Sequence, residues 1–350
     1  MRFAPIVWLF ACGSDPGEAP PTDAPAQADA PPGVEGKSQF ETCIEGGGMP
    51  KSGATIDNIH GPITKITVST HASVVILGSA DQSVKQWSMN GTSGSYQSPF
   101  SRNGIGSAVG GLAHTDAMDV YGVDGAGMLH RWTLAETSSD DVVNVNAGPL
   151  VAVATNGNGS TAIVAGSDAK TRIVDLSATP SVGQPITSAA TEVTAVALSN
   201  NGTVVVAGAT TGDHPLVEVR SLATPDTVIA WTDATLAGKV RAVSMDRDAG
   251  ILVAGGDGFV ATFALGGATL EPTNLSKIPA HTSVGVQLLS GKAYFVSAGD
   301  EGTLRVFDVA AAHEAKSLTI AKPIGIGADR NGENLYTAGP DGNLHVWLCQ

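Results

Sequence analysis

Seven glycines set the frame of this chain. Gly78, Gly122, Gly166, Gly208, Gly255, Gly299 and Gly339 follow one another at steps of 44, 44, 42, 47, 44 and 40 residues. Each closes an apolar, β-branched run and precedes a short turn and a second apolar run. The last copy, LYTAGPDGNLHVWLC from Leu335 to Cys349, shows the pattern most fully: strand, glycine, a turn with Asp341 and Gly342, and a strand with Trp347 near its end. Trp87, Trp132, Val174, Arg220, Phe263 and Phe307 occupy the place of Trp347 in the earlier copies. A period of this length overrides the one or two domains that 350 residues would suggest, because repeat units fold as one array.

Each unit opens with a further strand, such as ITKITVS (63–69), VTAVALS (193–199) or VRAVSMD (240–246). Asn-Gly or Asp-Ala-Gly at 201–202, 248–250 and 331–332 supply hairpin turns after several of these strands. Looser segments between units, VIAWTDA (228–234) and AKSLTIA (315–321) among them, bring the count to four strands per period. Four antiparallel strands repeated seven times over 51–349 predict an all-β, seven-bladed β-propeller of four-stranded blades.

The spacing is joined by two residue marks. Aspartates fall in the turn between second and third strands, at Asp81, Asp124, Asp168, Asp257, Asp300 and Asp341, and tryptophans on the third strand at Trp87, Trp132 and Trp347. An Asp in such a turn can bond the turn's own amides. In these features the chain resembles the WD40-type propeller family, although the Trp-Asp pair never occurs and only Val174-Asp175 and Phe307-Asp308 keep the Asp. The Gly-His mark is reduced to His60 and His281 without their glycines. The resemblance implies a non-catalytic protein–protein interaction scaffold that binds a protein or peptide on one propeller face.

A ring of blades leaves two open sheet edges unless its ends meet. Three strands of the last blade lie at the C-terminus, so the fourth is expected from upstream, with SGATIDNI (52–59) as the candidate. In an antiparallel pair that strand begins where the third strand ends at Cys349, which puts Cys43 near the same rim. A ring-closing Cys43–Cys349 disulfide is therefore expected in an oxidising compartment, with two free thiols as the alternative.

The chain begins with an address. Met1-Arg2 precedes an apolar run from Phe3 to Ala11 that is shorter than the ~20 residues of a membrane span and suits a signal peptide. Leu9-Phe10-Ala11-Cys12 resembles the lipobox of bacterial lipoproteins, which implies cleavage after residue 11 and lipidation of Cys12. Gly13 at the next position resembles sorting to an outer membrane. Residues 13–38 hold six prolines, five alanines and five acids, so the region 12–50 is expected to be a disordered tether ahead of the propeller. The expected location is the bacterial cell envelope, with membrane contact through the lipid alone.

A net charge of -14, from 33 acidic and 19 basic residues, argues against nucleic acid, whose phosphates need clustered Lys and Arg. No G-x-S-x-G elbow or H-E-x-x-H pair occurs. GGGMPKSG (46–53) mimics a phosphate loop, yet Glu45 and Pro50 occupy its two required glycine positions. His114, Asp116 and Asp119 have the composition of a metal site but the spacing of a solvated turn. No catalytic residue, metal or cofactor is thus expected, and the chain is expected to be a monomer whose partner is another envelope protein or peptide. A periplasmic propeller enzyme, lactonase-like or quinoprotein-like and acting on a small ester or sugar, is the alternative. The connections 90–105 and 209–216 depart most from the repeat, which marks Tyr96, Arg102, Asp213 and His214 as partner-facing candidates.

Overall fold

The computed structural model describes residues 37–57, 61–69, 74–90, 93–103, 107–115, 119–133, 141–145, 148–177, 179–311, 313–329 and 334–350, with the backbone alone at 90, 93–103, 141 and 142. The expected signal peptide, Cys12 and the tether up to residue 36 lie outside the described residues. The first described elements are helix α1 (Gln39–Glu45) and strand β1 (Pro50–Ile56). Four sheets then follow in chain order, each a four-stranded antiparallel meander. The first holds β2 (Ile63–Ser69), β3 (Val74–Ser79), β4 (Ser83–Asn90) and β5 (Ser93–Asn103). In the second are β6 (Val109–His114), β7 (Asp119–Asp124), β8 (Met128–Thr133) and β9 (Asp141–Asn144). The third contains β10 (Leu150–Thr155), β11 (Thr161–Gly166), β12 (Thr171–Asp175) and β13 (Ser181–Ile186). The fourth contains β14 (Glu192–Leu198), β15 (Thr203–Thr210), β16 (His214–Ser221) and β17 (Thr224–Thr232).

The next sheet departs from the expectation. It has six strands, β18 (Val240–Met245), β19 (Ile251–Ala264), β20 (Pro272–Leu288), β21 (Tyr294–Gly299), β22 (Thr303–Asp308) and β23 (Glu314–Thr319). The fifth and sixth sequence repeats share it, because two strands run through where breaks were expected. The first half of β19 pairs with β18 and the second half with β20, whose own second half pairs with β21. Asp257 pairs with Thr282 and bridges the two repeats. The propeller of four-stranded antiparallel units therefore forms six hydrogen-bonded sheets among the described residues, not the expected seven.

The last sheet closes the ring with chain from both ends. Its order is β1, β26 (Leu344–Cys349), β25 (Asn334–Ala338) and β24 (Gly325–Ala328). Pro50 pairs with Cys349 and Ile56 with Leu344, so the upstream strand sits on the outer edge at Pro50–Ile56 rather than at 52–59. The tether boundary moves as well. Ser38 to Glu45 is ordered by a capping box and by burial of Phe40 and Ile44, which pack with Leu289, Val296, Leu335 and Trp347. Glu41 is fully buried and accepts hydrogen bonds from the amides of Gly291, Ala293 and Tyr294 at 2.8, 3.2 and 3.4 Å as well as from Ser38. Cys43, on this helix, is disulfide-bonded to Cys349.

The innermost strands touch in the order β2, β6, β10, β14, β18, β20, β24 and back to β2. Their apolar residues alternate to both faces and fill the space between neighbouring sheets. One such cluster joins Val205, Val217 and Trp231 to Val240, Phe259 and Phe263, with the Trp231 ring edge-on to Phe263 at 5.3 Å. The pairing register slips by one residue near the start of six inner strands, for example at Thr64 between Ile63 and Lys65. Such a bulge turns one residue toward the next sheet. Thr64 Oγ1 bonds Gly78 O in its own sheet and Val109 O in the next, and Thr194 does the same with Ala207 O and Val240 O. The recurring glycines fit the same crowding: a Cβ on Gly208 would stand 1.8 Å from Glu192 O, and one on Gly339 2.4 Å from Lys322 O.

Candidate functional site

In the four-stranded sheets the turns between second and third strands lie at one end. Several are tied by backbone to the chain entering their own inner strand: Ala80 N to Pro62 O at 3.0 Å, Ser167 N to Pro149 O at 2.8 Å and Asp300 N to Thr282 O, within β20, at 2.9 Å. The turn aspartates do local work. Asp81 accepts from Ser83 N at 3.0 Å, Asp168 from Lys170 N at 3.2 Å, and Asp341 from Asn343 N at 3.2 Å. Asp124 is fully buried, accepts from Ala126 N and Met128 N, and meets His130 Nε2 at 3.2 Å. The Arg172 guanidinium, 2.7 Å away, holds the Asp168 carboxyl below the usual carboxylate range. Asp257 instead accepts from Lys239 N and pairs with Arg241 on the inner strand β18. Asp300 leaves the side-chain role to its neighbour Glu301.

That neighbour ends a line of groups which the sequence order conceals. His281 Nδ1 lies 2.6 Å from Glu301 Oε1, and His281 Nε2 lies 2.8 Å from Ser297 Oγ, itself 2.8 Å from Ser283 Oγ. A neutral imidazole satisfies both contacts by donating from Nδ1 and accepting the Ser297 hydroxyl at Nε2. The arrangement of hydroxyl, imidazole and carboxylate has the polarity of a hydrolase triad. Its burial argues otherwise: His281, Ser283 and Ser297 are each 0% exposed, so a substrate carbonyl cannot reach the hydroxyl. The line joins the entry to the inner strand half of β20 with β21 and the β21–β22 turn, and it acts as a fastener. Desolvation opposes ionisation of Glu301, but the Thr303 hydroxyl and His281 outweigh it and hold the carboxyl below its ordinary range.

The third-strand aromatics are interior residues. Trp132 is 1% exposed, and Trp347 donates from Nε1 to Thr337 Oγ1 at 2.9 Å, while Trp87 is half-buried and pairs across to Tyr96. Phe307 stacks on Phe295 with centroids 5.0 Å apart. Arg220, in the same register, is nearly buried and bonds Glu218 at 2.6 Å, Thr187 O at 2.7 Å and Pro225 O at 3.0 Å. Its guanidinium thus anchors the β13–β14 connection.

Of the partner-facing candidates, Tyr96 and Arg102 do not sit on a loop. Residues 93–103 form β5, the outer strand, because the segment completes the ladder to β4 with Trp87 opposite Tyr96 and Val84 opposite Arg102. Asp213 and His214 are at the β15–β16 turn, where Asp213 is exposed at φ 56° and accepts from Gly238 N. His214 Nδ1 bonds Leu236 O at 2.9 Å, so this turn is braced by the β17–β18 connection. Among the described residues no group of three or more His, Cys, Asp or Glu is placed to hold a metal ion, and no helix is long and apolar enough to cross a membrane.

No family model matches the sequence, and no curated protein does either. Solved structures do: 1757 chains resemble this one, so the fold is too widely shared to select a function. Among them is the crystal structure of the β-propeller domain of Cps50 (Swd1) from Myceliophteria thermophila, with a TM-score of 0.71, 12% sequence identity, and coverage of 85% of this chain and 99% of that one. At that identity the likeness shows the fold alone, a β-propeller.

Proposed function

We propose that this protein is a non-catalytic interaction scaffold of the bacterial envelope, held to a membrane through lipid on Cys12 and binding another envelope protein or peptide at the rim formed by the turns between second and third strands. The carrying observation is the sealing of the Ser297–His281–Glu301 line. The groups best arranged for chemistry are turned inward as a fastener, and the rim presents exposed turns on rigid strands. Asp81, Asp213 and Asp341 are exposed there, which suits a basic partner surface. Nucleic acid does not fit a chain of net charge -14. The resemblance to the lipobox supports the anchor and the outer-membrane destination.

The test is crosslinking capture from native envelopes with the full chain and with Asp81→Asn/Asp213→Asn/Asp341→Asn. A discrete basic partner, released by salt and lost in the triple variant, is expected. Turnover of a lactone or sugar ester that survives in the variant and disappears with Ser297→Ala would replace the scaffold with the enzyme alternative. Anchoring is tested separately: Cys12→Ser is expected to move the protein from the membrane to the soluble fraction.

A further inference from the structure

The turns between first and second strands hold groups that neither the rim nor the buried line uses. Six Asn-Gly pairs occur in the chain, and in three of them, Asn156-Gly157, Asn158-Gly159 and Asn201-Gly202, both residues are described. A glycine after an asparagine leaves its main-chain nitrogen unshielded by any Cβ, so that nitrogen can reach the side-chain carbonyl carbon. The fold treats the three side chains differently. Asn156 is 7% exposed; its Nδ2 donates to Ser160 Oγ at 2.9 Å and its Oδ1 accepts from Thr161 N at 3.1 Å. Gly157 N, the nitrogen that would attack it, donates to Asn200 Oδ1 at 2.7 Å. Asn201 is exposed, yet its amide is held at both ends. Its Oδ1 accepts from Thr203 N and Thr203 Oγ1 at 3.3 and 3.0 Å, and its Nδ2 donates to Asp248 O in the β18–β19 turn at 2.9 Å. Asn158 is exposed and accepts once, from Ser160 N at 3.0 Å, while its Nδ2 has no partner among the described residues. The glycines do not separate these last two pairs. Gly159 and Gly202 sit at φ 70° and 82°, and both donate within the turn, to Asn156 O at 3.1 Å and Ser199 O at 3.3 Å.

We infer that Asn158 is a modification site, at which the folded protein loses side-chain ammonia and becomes aspartate or isoaspartate, while the fold shields Asn156 and Asn201. Gly159 N gives its proton to base and bonds Asn158 Cγ; the Cγ–Nδ2 bond breaks and Nδ2 leaves as ammonia. Water then opens the cyclic imide at either carbonyl, so asparagine and water become an acid and ammonia. At Asn158 only the bonds of Gly159 N and Ser160 N must yield, whereas Asn156 and Asn201 must also free a donating Nδ2. The isoaspartate product puts one more carbon into the main chain beside Gly159, where a Cβ would already lie 3.2 Å from Thr115 Cγ2 after β6. That product therefore moves the turn against its neighbour, and both products add a negative charge. The inference does not rest on the rim reading.

The experiment holds the full chain folded in mildly alkaline buffer made with H₂¹⁸O and follows it over time by peptide mass spectrometry, beside the same chain in urea. In the folded chain Asn158 is expected to convert, with uptake of ¹⁸O, at least about ten-fold faster than Asn156 and Asn201, as the extra hydrogen bonds on those two require. In urea the three should convert at similar rates. Folded-state conversion of Asn156 or Asn201 as fast as that of Asn158 overturns the site, as does an Asn158 that stays as slow as they do. The same ranking in urea as in the folded chain also overturns it, because the order would then come from sequence and not from structure.

Discussion

Cys43, on the chain's described helix, is bonded to Cys349, the last residue of β26, across 306 residues of sequence. The bond fastens the upstream segment to the sheet it completes, beside the pairing of Pro50 with Cys349. Closing a loop of that length restricts the unfolded chain by about 5–6 kcal/mol. Cys43→Ser should lower the unfolding free energy by that amount in urea titrations. Non-reducing digestion of the unmodified protein should release one peptide pair containing both cysteines.

Glu41 offers a second handle on the same closure. Its buried carboxylate accepts from the Ser38 amide at the helix N-terminus and from the amides of Gly291 and Ala293 in the β20–β21 connection and of Tyr294 at the start of β21. Glu41→Gln turns an amide NH₂ toward those donors and should cost about 2–4 kcal/mol, as leaving buried donors unanswered does. Hydrogen exchange at Gly291, Ala293 and Tyr294 should accelerate, whereas a helix that merely rests on the surface would leave their exchange unchanged.

Gly208 tests why the repeat carries its glycine. Its place for a Cβ is already occupied by Glu192 O at 1.8 Å, so Gly208→Ala must push two strands apart at a cost of about 1–3 kcal/mol or more. Gly46→Ala, whose Cβ would meet nothing closer than 3.4 Å at φ -71°, is the matched control and should change the thermal midpoint little.

Glu301 sets a pH signature. Because its folded-state pKa lies below the ordinary value of 4.5, its contribution is present above that value and is lost as pH falls through the folded-state pKa. Glu301→Gln should therefore lower the thermal midpoint at pH 7, and the deficit relative to the unmodified protein should shrink as both are acidified below the ordinary carboxylate range. An equal deficit at every pH would show that packing rather than charge accounts for the loss.

The period was readable because each unit repeats one local pattern: β-branched run, glycine forced by close approach, and an aspartate satisfying turn amides. The Cys43–Cys349 pair was readable because antiparallel closure leaves few places for an outer strand to begin. Helix α1 was hidden by context, although Ser38 and Glu41 carry the spacing of a capping box; the Pro/Ala-rich stretch before it masked the signal. The shared six-stranded sheet follows from Asp257 pairing with Thr282, a contact between repeats that no periodicity announces. The same holds for the line through Ser283, His281, Ser297 and Glu301, whose members come from two strands and a turn. Tyr96 and Arg102 looked like loop residues because their segment is polar, as an outer strand with one exposed edge is free to be.

Joining β1 to β26 has a consequence for biosynthesis. The outer strand of the last sheet leaves the ribosome well before the strand it must meet. At ~5–20 residues per second, the stretch between them takes roughly 15–60 s to make. During that interval the earlier sheets are made while the circle remains open, so a chaperone that shields a lone amphipathic ribbon would act on Pro50–Ile56 until Leu344–Cys349 is made.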